Sequence, residues 1–497
     1  MILEQLLDFE SQSLLSIYNY LSGSPDFHGV NEISEAIGFE KRTTEKYLDR
    51  LEDLATKVSK KTGNSPVLVS EKKYRLIQDN YDLAQELLLK IYHLSFKINI
   101  LEDLLLNRKT QISDLEFKYN LSYSSIKKNI YELRNMLLNY ELHLQIRKKE
   151  LILSGLEPTI RIFFLDFFWK VYNGYIHVFN IKHTTEKEFL IEKLNLMLSD
   201  KLDPITKIQY DYLVDITLLR YFSGHRIQEK ELPNESVLIG SEFARNLQLS
   251  SKKITSIYSN FEDELYFMLL FLQSKLAFFR NTRFFNLIKS SHEKFNSNIY
   301  EANQFFFHNI GLIFSHFNFD YDKLEKELYV IHTRLLLMNF YHCVPVGEDY
   351  HLYPDDISVV MDNIRVKLEK LNSRNDLIYS NLEYSIFLYA VLSIENEFMT
   401  TKDLFIFIDD SNGEFNTLSL KNFLFESTRA IVKLNFISSN CFLLMDSSVD
   451  LIISTNRFFR LNNKGICPIL YLECKDKYQD LRSFQTTILE LIVRNRN

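Results

Sequence analysis

The segment from Val30 to Leu51 recurs without a gap 82 positions later, from Ile112 to Leu133. Val30 matches Ile112, Glu32 matches Asp114, Ile33 matches Leu115 and Ile37 matches Tyr119. Gly38 matches Asn120, Phe39 matches Leu121, Leu48 matches Ile130 and Leu51 matches Leu133. A duplication in register constrains the fold more than any bulk property, because each matched position must do the same physical job twice. Apolar residues three and four apart put one face of a helix on a core. Gly38 and Asn120 are the residue types that turn left-handed most readily between two helices. Asn31 and Ser113 are expected to cap the first helix of each copy, with an acid following in each. Phe39 and Leu121 plug the corner. The pattern predicts two helix-turn-helix units.

The second helix of such a unit enters the major groove of DNA, and here its polar face has groove chemistry. The first copy offers Lys41, Arg42, Thr43, Lys46, Tyr47 and Arg50. The second offers Tyr123, Ser124, Ser125, Lys127, Lys128, Asn129 and Arg134. Residues near the helix start would reach base edges, and those further along would meet phosphates. A hairpin signal follows each helix pair. Val67–Val69 and Tyr74–Leu76 flank a basic turn at Glu71, Lys72 and Lys73, while Leu142–Ile146 and Leu151–Leu153 flank Arg147, Lys148 and Lys149. A hairpin with a cationic tip is a wing that can touch the neighbouring phosphate backbone. One helical hairpin is a weak signal in an α-rich chain. Two in register, each with a basic wing, point to paired winged helix-turn-helix units and to double-stranded DNA as partner. The second unit is the favoured reader, because Ser122 is a better N-cap than Glu40 and Ser124, Ser125 and Asn129 suit base edges.

A net charge of −7 argues at first against a polyanionic partner. The acidity is unevenly spread: residues 1–155 carry 21 Lys and Arg against 22 Asp and Glu, but residues 156–400 carry 25 against 32. Lys57, Lys60, Lys61, Lys72, Lys73 and Arg75 fall in a stretch whose one acid is Glu71. Local clustering decides phosphate binding, not the total.

With 12 Gly and 8 Pro in 497 residues and long 3.6-residue periods, the chain reads as mainly α and multidomain. Tyr210, Leu213, Val214, Leu218 and Tyr221 share one helical face, as do Leu324, Leu328, Ile331 and Leu335. The Phe-rich helices around Phe163–Phe168 and Phe305–Phe307 read as core. Cys343, Cys441, Cys467 and Cys474 form no C-x-x-C pair, as expected of reduced, mostly buried thiols. The opening Met1-Ile2-Leu3-Glu4-Gln5 predicts no leader, and charges interrupt the most apolar stretch, Phe261–Phe279, so no membrane partner is expected. A cytoplasmic protein is expected.

Two winged units ending in Leu153-Ser154-Gly155-Leu156-Glu157-Pro158-Thr159-Ile160-Arg161, followed by long acidic helices, resemble the Mga/AtxA group of virulence regulators, a branch of phosphotransferase-regulated transcription factors. The resemblance implies winged helix-turn-helix units at 1–78 and 79–157, and helical regulatory (PRD-like) bundles at 158–282 and 283–397. It implies a small C-terminal α/β domain like the phosphotransferase IIB subunit at 398–497. The bundles would be phosphorylated on histidine by a phosphotransferase-system phosphocarrier protein. His225, in a helix running into Gly224-His225, and His332 are the candidates, with His308 and His316 as rivals to the latter; all four could instead be ordinary core or surface histidines. The C-terminal domain would serve self-association into a homodimer.

In that last domain Asp403–Ile408 reads as a strand and Leu418–Val432 as a helix. Strands are expected near Phe442–Met445, Leu451–Ile453 and Ile469–Leu472, and a closing helix over Tyr478–Val493, giving a small parallel sheet. A IIB subunit carries its phosphorylated cysteine after the first strand, but here Asp409, Asp410 and Ser411 stand there. A two-acid turn is too common to specify a metal. No phosphate loop, G-x-G-x-x-G, G-x-S-x-G or H-E-x-x-H occurs, so no enzyme, cofactor or metal is expected. The alternatives are a phosphotransferase-linked interaction protein, such as an antiterminator acting on RNA, and a hydrolase using the C-terminal domain. Antiterminators open with a small β-rich module, whereas this chain opens with helices.

Overall fold

The computed structural model describes residues 3–77, 81–106, 110–175, 178–179, 184–198, 204–233, 261–280, 282–313, 320–343, 355–371, 403–410, 414–428, 433–437, 449–455 and 467–472. Single positions between 377 and 389 and between 484 and 491 are also described. The protein is mainly α. It divides into two compact units, Met1–Gly155 with Phe167–Phe179, and Leu156–Asp166 with Asn180–Asn497.

The first unit holds the duplication. Helix α1 (Phe9–Ser22) starts where Asp8 accepts a hydrogen bond from the Ser11 amide, and it buries Leu14, Ile17, Tyr18 and Leu21. Strand β1 (His28–Gly29) leads into α2 (Val30–Ile37) and α3 (Lys41–Thr62), followed by β2 (Val67–Ser70) and β3 (Lys73–Leu76). Helices α4 (Tyr81–Tyr92) and α5 (Phe96–Leu105) precede the second copy, which comprises α6 (Ile112–Tyr119), α7 (Tyr123–Leu138), β4 (His143–Arg147) and β5 (Glu150–Ser154). The 82-residue register holds at the starts of α2 and α6, at those of α3 and α7, and at the corner. Gly38 and Asn120 both sit left-handed, at φ 71° and 51°. An equivalent pairing recurs in the sheet, Gly29 with Lys73 in the first copy and Gln111 with Glu150 in the second, although the second wing follows five residues earlier than that register.

The caps lie two residues upstream of their expected place. Asn31 and Ser113 are inside α2 and α6, and the N-caps are Gly29 and Gln111, neither with a side-chain cap. At α2 the Glu32 carboxylate accepts from the Gly29 amide instead. The short strand pairing before each helix extends the backbone and sets the helix start earlier than side-chain preference alone suggests. Gly155 is required by space rather than φ, since a Cβ there would lie 2.7 Å from the Leu142 side chain.

The second unit begins with α8 (Glu157–Tyr172), whose later turns belong to the first unit. Its first turns carry a buried ionic cluster. Arg161 donates to Glu157 at 3.0 Å and to Glu264, and Arg220 donates to both oxygens of Glu157 at 2.8 and 2.7 Å. Burial would raise the Glu157 pKa, but the hydrogen bonds and charges of Arg220 and Arg161 outweigh it and hold the carboxyl below its usual range. Both expected apolar faces are buried, on α9 (Pro204–Phe222) and on the helix Tyr321–Tyr341. Phe163, Phe164, Phe167, Phe168 and Phe306 are buried too, as is Cys343, while Cys467 is half-buried and Cys441 and Cys474 lie outside the described residues.

The C-terminal sheet is parallel, in order β7-β6-β8-β9, with β6 (Asp403–Asp409), β7 (Lys433–Ile437), β8 (Leu451–Ser454) and β9 (Ile469–Tyr471). Leu404, Ile406, Leu451 and Ile453 form its core with Leu424, on the helix Glu414–Thr428. Strand β7 was not anticipated, because Lys433-Leu434-Asn435-Phe436-Ile437 lacks the continuous apolar run of a buried parallel strand. The expected strand at Phe442–Met445 lies outside the described residues, as does most of the closing helix. Phe484, Ile488 and Leu491, from that expected helix, are buried.

Two histidines in the second unit are held neutral by burial. His332 lies between the Asn303 amide oxygen at 2.8 Å and the Tyr389 hydroxyl at 3.0 Å, and His292 between Ser297 and Gln273 at 2.8 and 2.9 Å. Burial pushes each imidazole down to about 3. The unfolded chain takes up these protons below about pH 6.5 and the folded one does not until far lower. Their stabilisation is therefore complete above pH 6.5 and is lost as pH falls toward 3. Unfolding followed by circular dichroism should show about 2 kcal/mol less stability per histidine at pH 5 than at pH 7, and His292→Gln should shrink that loss.

Candidate nucleic-acid interface and histidine sites

The corner at Gly38 or Asn120 decides which side chains of the following helix face solvent. In α3, Thr44, Leu48, Leu51 and Ala55 turn into the core, and Lys41, Arg42 and Lys46 are exposed. Thr43 and Arg50 are half-buried, and Arg50 pairs with Glu10 at 2.9 Å. Tyr47, expected on the polar face, is 6% exposed, with its ring among Phe9 and Phe39 at centroid distances of 6.3 and 6.4 Å. At that position the helix face has already turned back toward the corner, and an aromatic ring there completes the plug.

The second copy keeps more of its expected face open. In α7, Ile126, Ile130, Leu133 and Leu137 are buried, while Tyr123, Ser124, Lys127 and Lys128 are exposed and Ser125, Asn129 and Arg134 half-buried. Ser122 caps the helix by accepting from the Ser125 amide at 3.2 Å, with its hydroxyl 2.9 Å from that of Ser124. Asn129 donates to the Ser125 carbonyl at 3.0 Å, and Arg134 donates through Nε to the Leu144 carbonyl at 2.9 Å, tying helix to wing. Lys127 lies over the Tyr123 ring at 4.6 Å. Among the described residues no ion pair holds Lys41, Arg42, Lys127 or Lys128, so these cations are available to phosphate. Tyr131, 62% exposed, shares this face and was missed, although its place seven residues after Ser124 on a helix would have located it.

Both wings close in the same way. The pairs Ser70–Lys73 and Arg147–Glu150 each leave two residues at the tip, Glu71 and Lys72 in one and Lys148 and Lys149 in the other. All four have positive φ, between 49° and 68°, the conformation of a type I′ hairpin that glycine and asparagine normally fill. Lys72, Lys73, Arg147, Lys148 and Lys149 are exposed.

Residues 81–168 match the family model of the Mga helix-turn-helix domain, over α4 to α7, the second wing and the start of α8. That stretch is similar to the Mga helix-turn-helix domain. It is also 25% identical over 228 residues to the anthrax toxin expression trans-acting positive regulator of Bacillus anthracis. That match covers 44% of this chain and 45% of the relative, so the chain spans about half the length of the curated protein it matches. The resemblance to the Mga/AtxA group stands on these two findings.

Beyond the matched stretch, the two candidate histidines differ sharply. His225 is exposed three residues past the end of α9, with its backbone carbonyl accepting from Arg161 at 3.0 Å. Partial burial and then the positive charge of Arg220 lower its pKa, which keeps the imidazole neutral near pH 7. His332 is 0% exposed with both ring nitrogens engaged, so no phosphoryl donor can reach it in this conformation. His308 is exposed, and His316 lies outside the described residues. The acidic turn has structural work, with Asp409 accepting from Ser454 at 2.7 Å and Asp410 from Thr455 and Asn416 at 2.6 and 2.8 Å. Among the described residues no cluster of three or more His, Cys, Asp or Glu could hold a metal, and no helix is long and apolar enough to cross a membrane.

Left-handed Lys149 costs about 1 kcal/mol relative to glycine. Lys149→Gly should therefore raise the midpoint of thermal unfolding of the first unit, read by calorimetry, even as it removes a cation from the wing tip.

Proposed function

We propose that the chain is a DNA-binding transcription regulator of virulence or metabolic genes, acting in the cytoplasm as a homodimer without enzymatic activity. The observation that carries this reading is the duplicated corner, from which α3 and α7 emerge with exposed cations, Lys41, Arg42, Lys127 and Lys128, that no ion pair holds among the described residues, beside a basic wing. Lys127 and Lys128, with the wing residues Arg147, Lys148 and Lys149, would meet phosphates, while Tyr123, Ser124, Ser125 and Asn129 would face base edges; Lys41, Arg42, Thr43, Lys46, Lys72 and Lys73 are the corresponding polar residues of the first copy. Arg50 and Arg134 position the helices through Glu10 and Leu144.

Control by a phosphotransferase-system phosphocarrier fits His225 better than His332. A neutral, exposed imidazole can accept a phosphoryl group, and the dianion would form within reach of Arg220, whose charge the ring already senses. On this reading residues 158–282 and 283–397 are regulatory bundles and 398–497 is a IIB-like domain that joins two copies.

Binding of mixed-sequence duplex DNA and of RNA, measured at two salt concentrations, tests the reading. Duplex should bind more tightly, with log K falling by about 0.9 per phosphate contact for each tenfold rise in salt. Lys128→Ala should weaken binding across sequences and flatten that slope by about 1. Equal or stronger RNA binding would favour the antiterminator alternative. Incubation with a radiolabelled histidine-phosphorylated phosphocarrier should label the intact chain and the His332→Ala variant, but not His225→Ala; label retained in His225→Ala rules that site out.

A further inference from the structure

The register of the duplication places each residue of α3 over one of α7. Where the first copy has Glu45, Asp49 and Glu52, the second has Lys127, Tyr131 and Arg134. Glu45, Asp49, Glu52, Lys127 and Tyr131 are all exposed, and Arg134 is half-buried at the helix–wing join. The backbone at these positions is the same, so the difference is one of surface alone.

In the first copy the three carboxylates stand at i, i+4 and i+7 on one exposed stripe of α3. Tyr74, on β3, has its hydroxyl pKa raised by burial and then by the charges of Asp49, Glu52 and Glu45. A phosphate backbone lying along α3 would meet this acidic stripe. In the second copy the Arg134 side chain ties α7 to its wing through the Leu144 carbonyl, and among the described residues no ion pair holds Lys127, which lies over the Tyr123 ring. Tyr131 stands one turn beyond Lys127 and Lys128 and nearly eclipses Ser124, two turns away, on the stripe that leads from base edges to phosphates. An exposed tyrosine there offers a hydroxyl to a phosphate oxygen and a ring face to the sugar.

We propose that the two units divide the work: the duplex lies along the second, with Tyr131 as a further DNA contact, while Glu45, Asp49 and Glu52 exclude phosphate from the first. The inference rests on the DNA-binding reading above and sharpens it to one unit.

Equivalent positions make the test, on the full chain with a mixed-sequence duplex of about 40 base pairs at two salt concentrations. Lys128→Ala should weaken binding about tenfold and flatten the salt slope by about 1, whereas Lys46→Ala, at the matching position, should leave both unchanged within twofold. Tyr131→Ala should weaken binding about fivefold, with its far-ultraviolet circular dichroism and unfolding midpoint unchanged. The triple variant Glu45→Gln, Asp49→Asn, Glu52→Gln should bind more tightly and with a steeper slope, because the first copy becomes open to phosphate. A loss on Lys46→Ala equal to that on Lys128→Ala, a silent Tyr131→Ala or an unchanged triple variant would overturn the division of work while leaving DNA binding intact. No duplex binding by the unsubstituted chain would overturn the functional reading, and the inference with it.

Discussion

Between α2 and α3, and again between α6 and α7, the chain reverses at a single left-handed residue. An L-residue with a Cβ pays to sit there, and glycine or asparagine pays least. Once that residue is in place, the next helix begins three positions on, and its apolar stripe must turn toward the preceding helix. The opposite stripe has no choice but to face water. Cations placed on it stay hydrated and unpaired unless something outside the chain meets them. The corner thus links one backbone dihedral to the availability of Lys41, Arg42, Lys127 and Lys128.

The second unit depends on a different device. Taking Glu157, Arg161, Arg220 and Glu264 out of water carries a large desolvation cost, which only close, multiply bonded geometry repays. Such a cluster is poor at adding net stability and good at fixing one arrangement. Arg161 also donates to the His225 carbonyl, and Glu264 accepts from the Ile227 amide at 3.0 Å. The loop carrying His225 is thereby anchored to the start of α8 and to the helix Phe261–Gln273. A change of charge on His225 would act beside two guanidiniums already committed to buried partners, so its effect would not be confined to the loop.

Much of the first unit was legible in the sequence because duplication supplies its own control. A lone Gly or Asn is ambiguous, but Gly38 and Asn120 at the same place in two copies are not. The helix starts were read less well, since Asn31 and Ser113 look like caps, whereas strand pairing by Gly29 and Gln111 settles the backbone two residues earlier. Tyr47 was misplaced because an amphipathic side chain says little about which side of a stripe boundary it occupies. In the second unit, periodicity located the buried faces but could not show that Glu157 and Arg161 meet Arg220 and Glu264. Those contacts join residues up to 103 positions apart, and no local pattern encodes them. For the same reason the burial of His332 was invisible, because its cage comes from Asn303 and Tyr389.

The duplication also separates what a fold requires from what a surface does. Positions that build the corner keep their character between copies: Ile33 and Leu115, Leu48 and Ile130, Leu51 and Leu133 are all buried. Positions that face water are under no such demand, and there the copies diverge to the point of reversing charge. Two copies with one backbone therefore present different charge patterns to anything that approaches. A shared fold is no argument for a shared role. The second copy, over which the Mga helix-turn-helix match lies, is also the copy whose outward stripe is nearly free of acids.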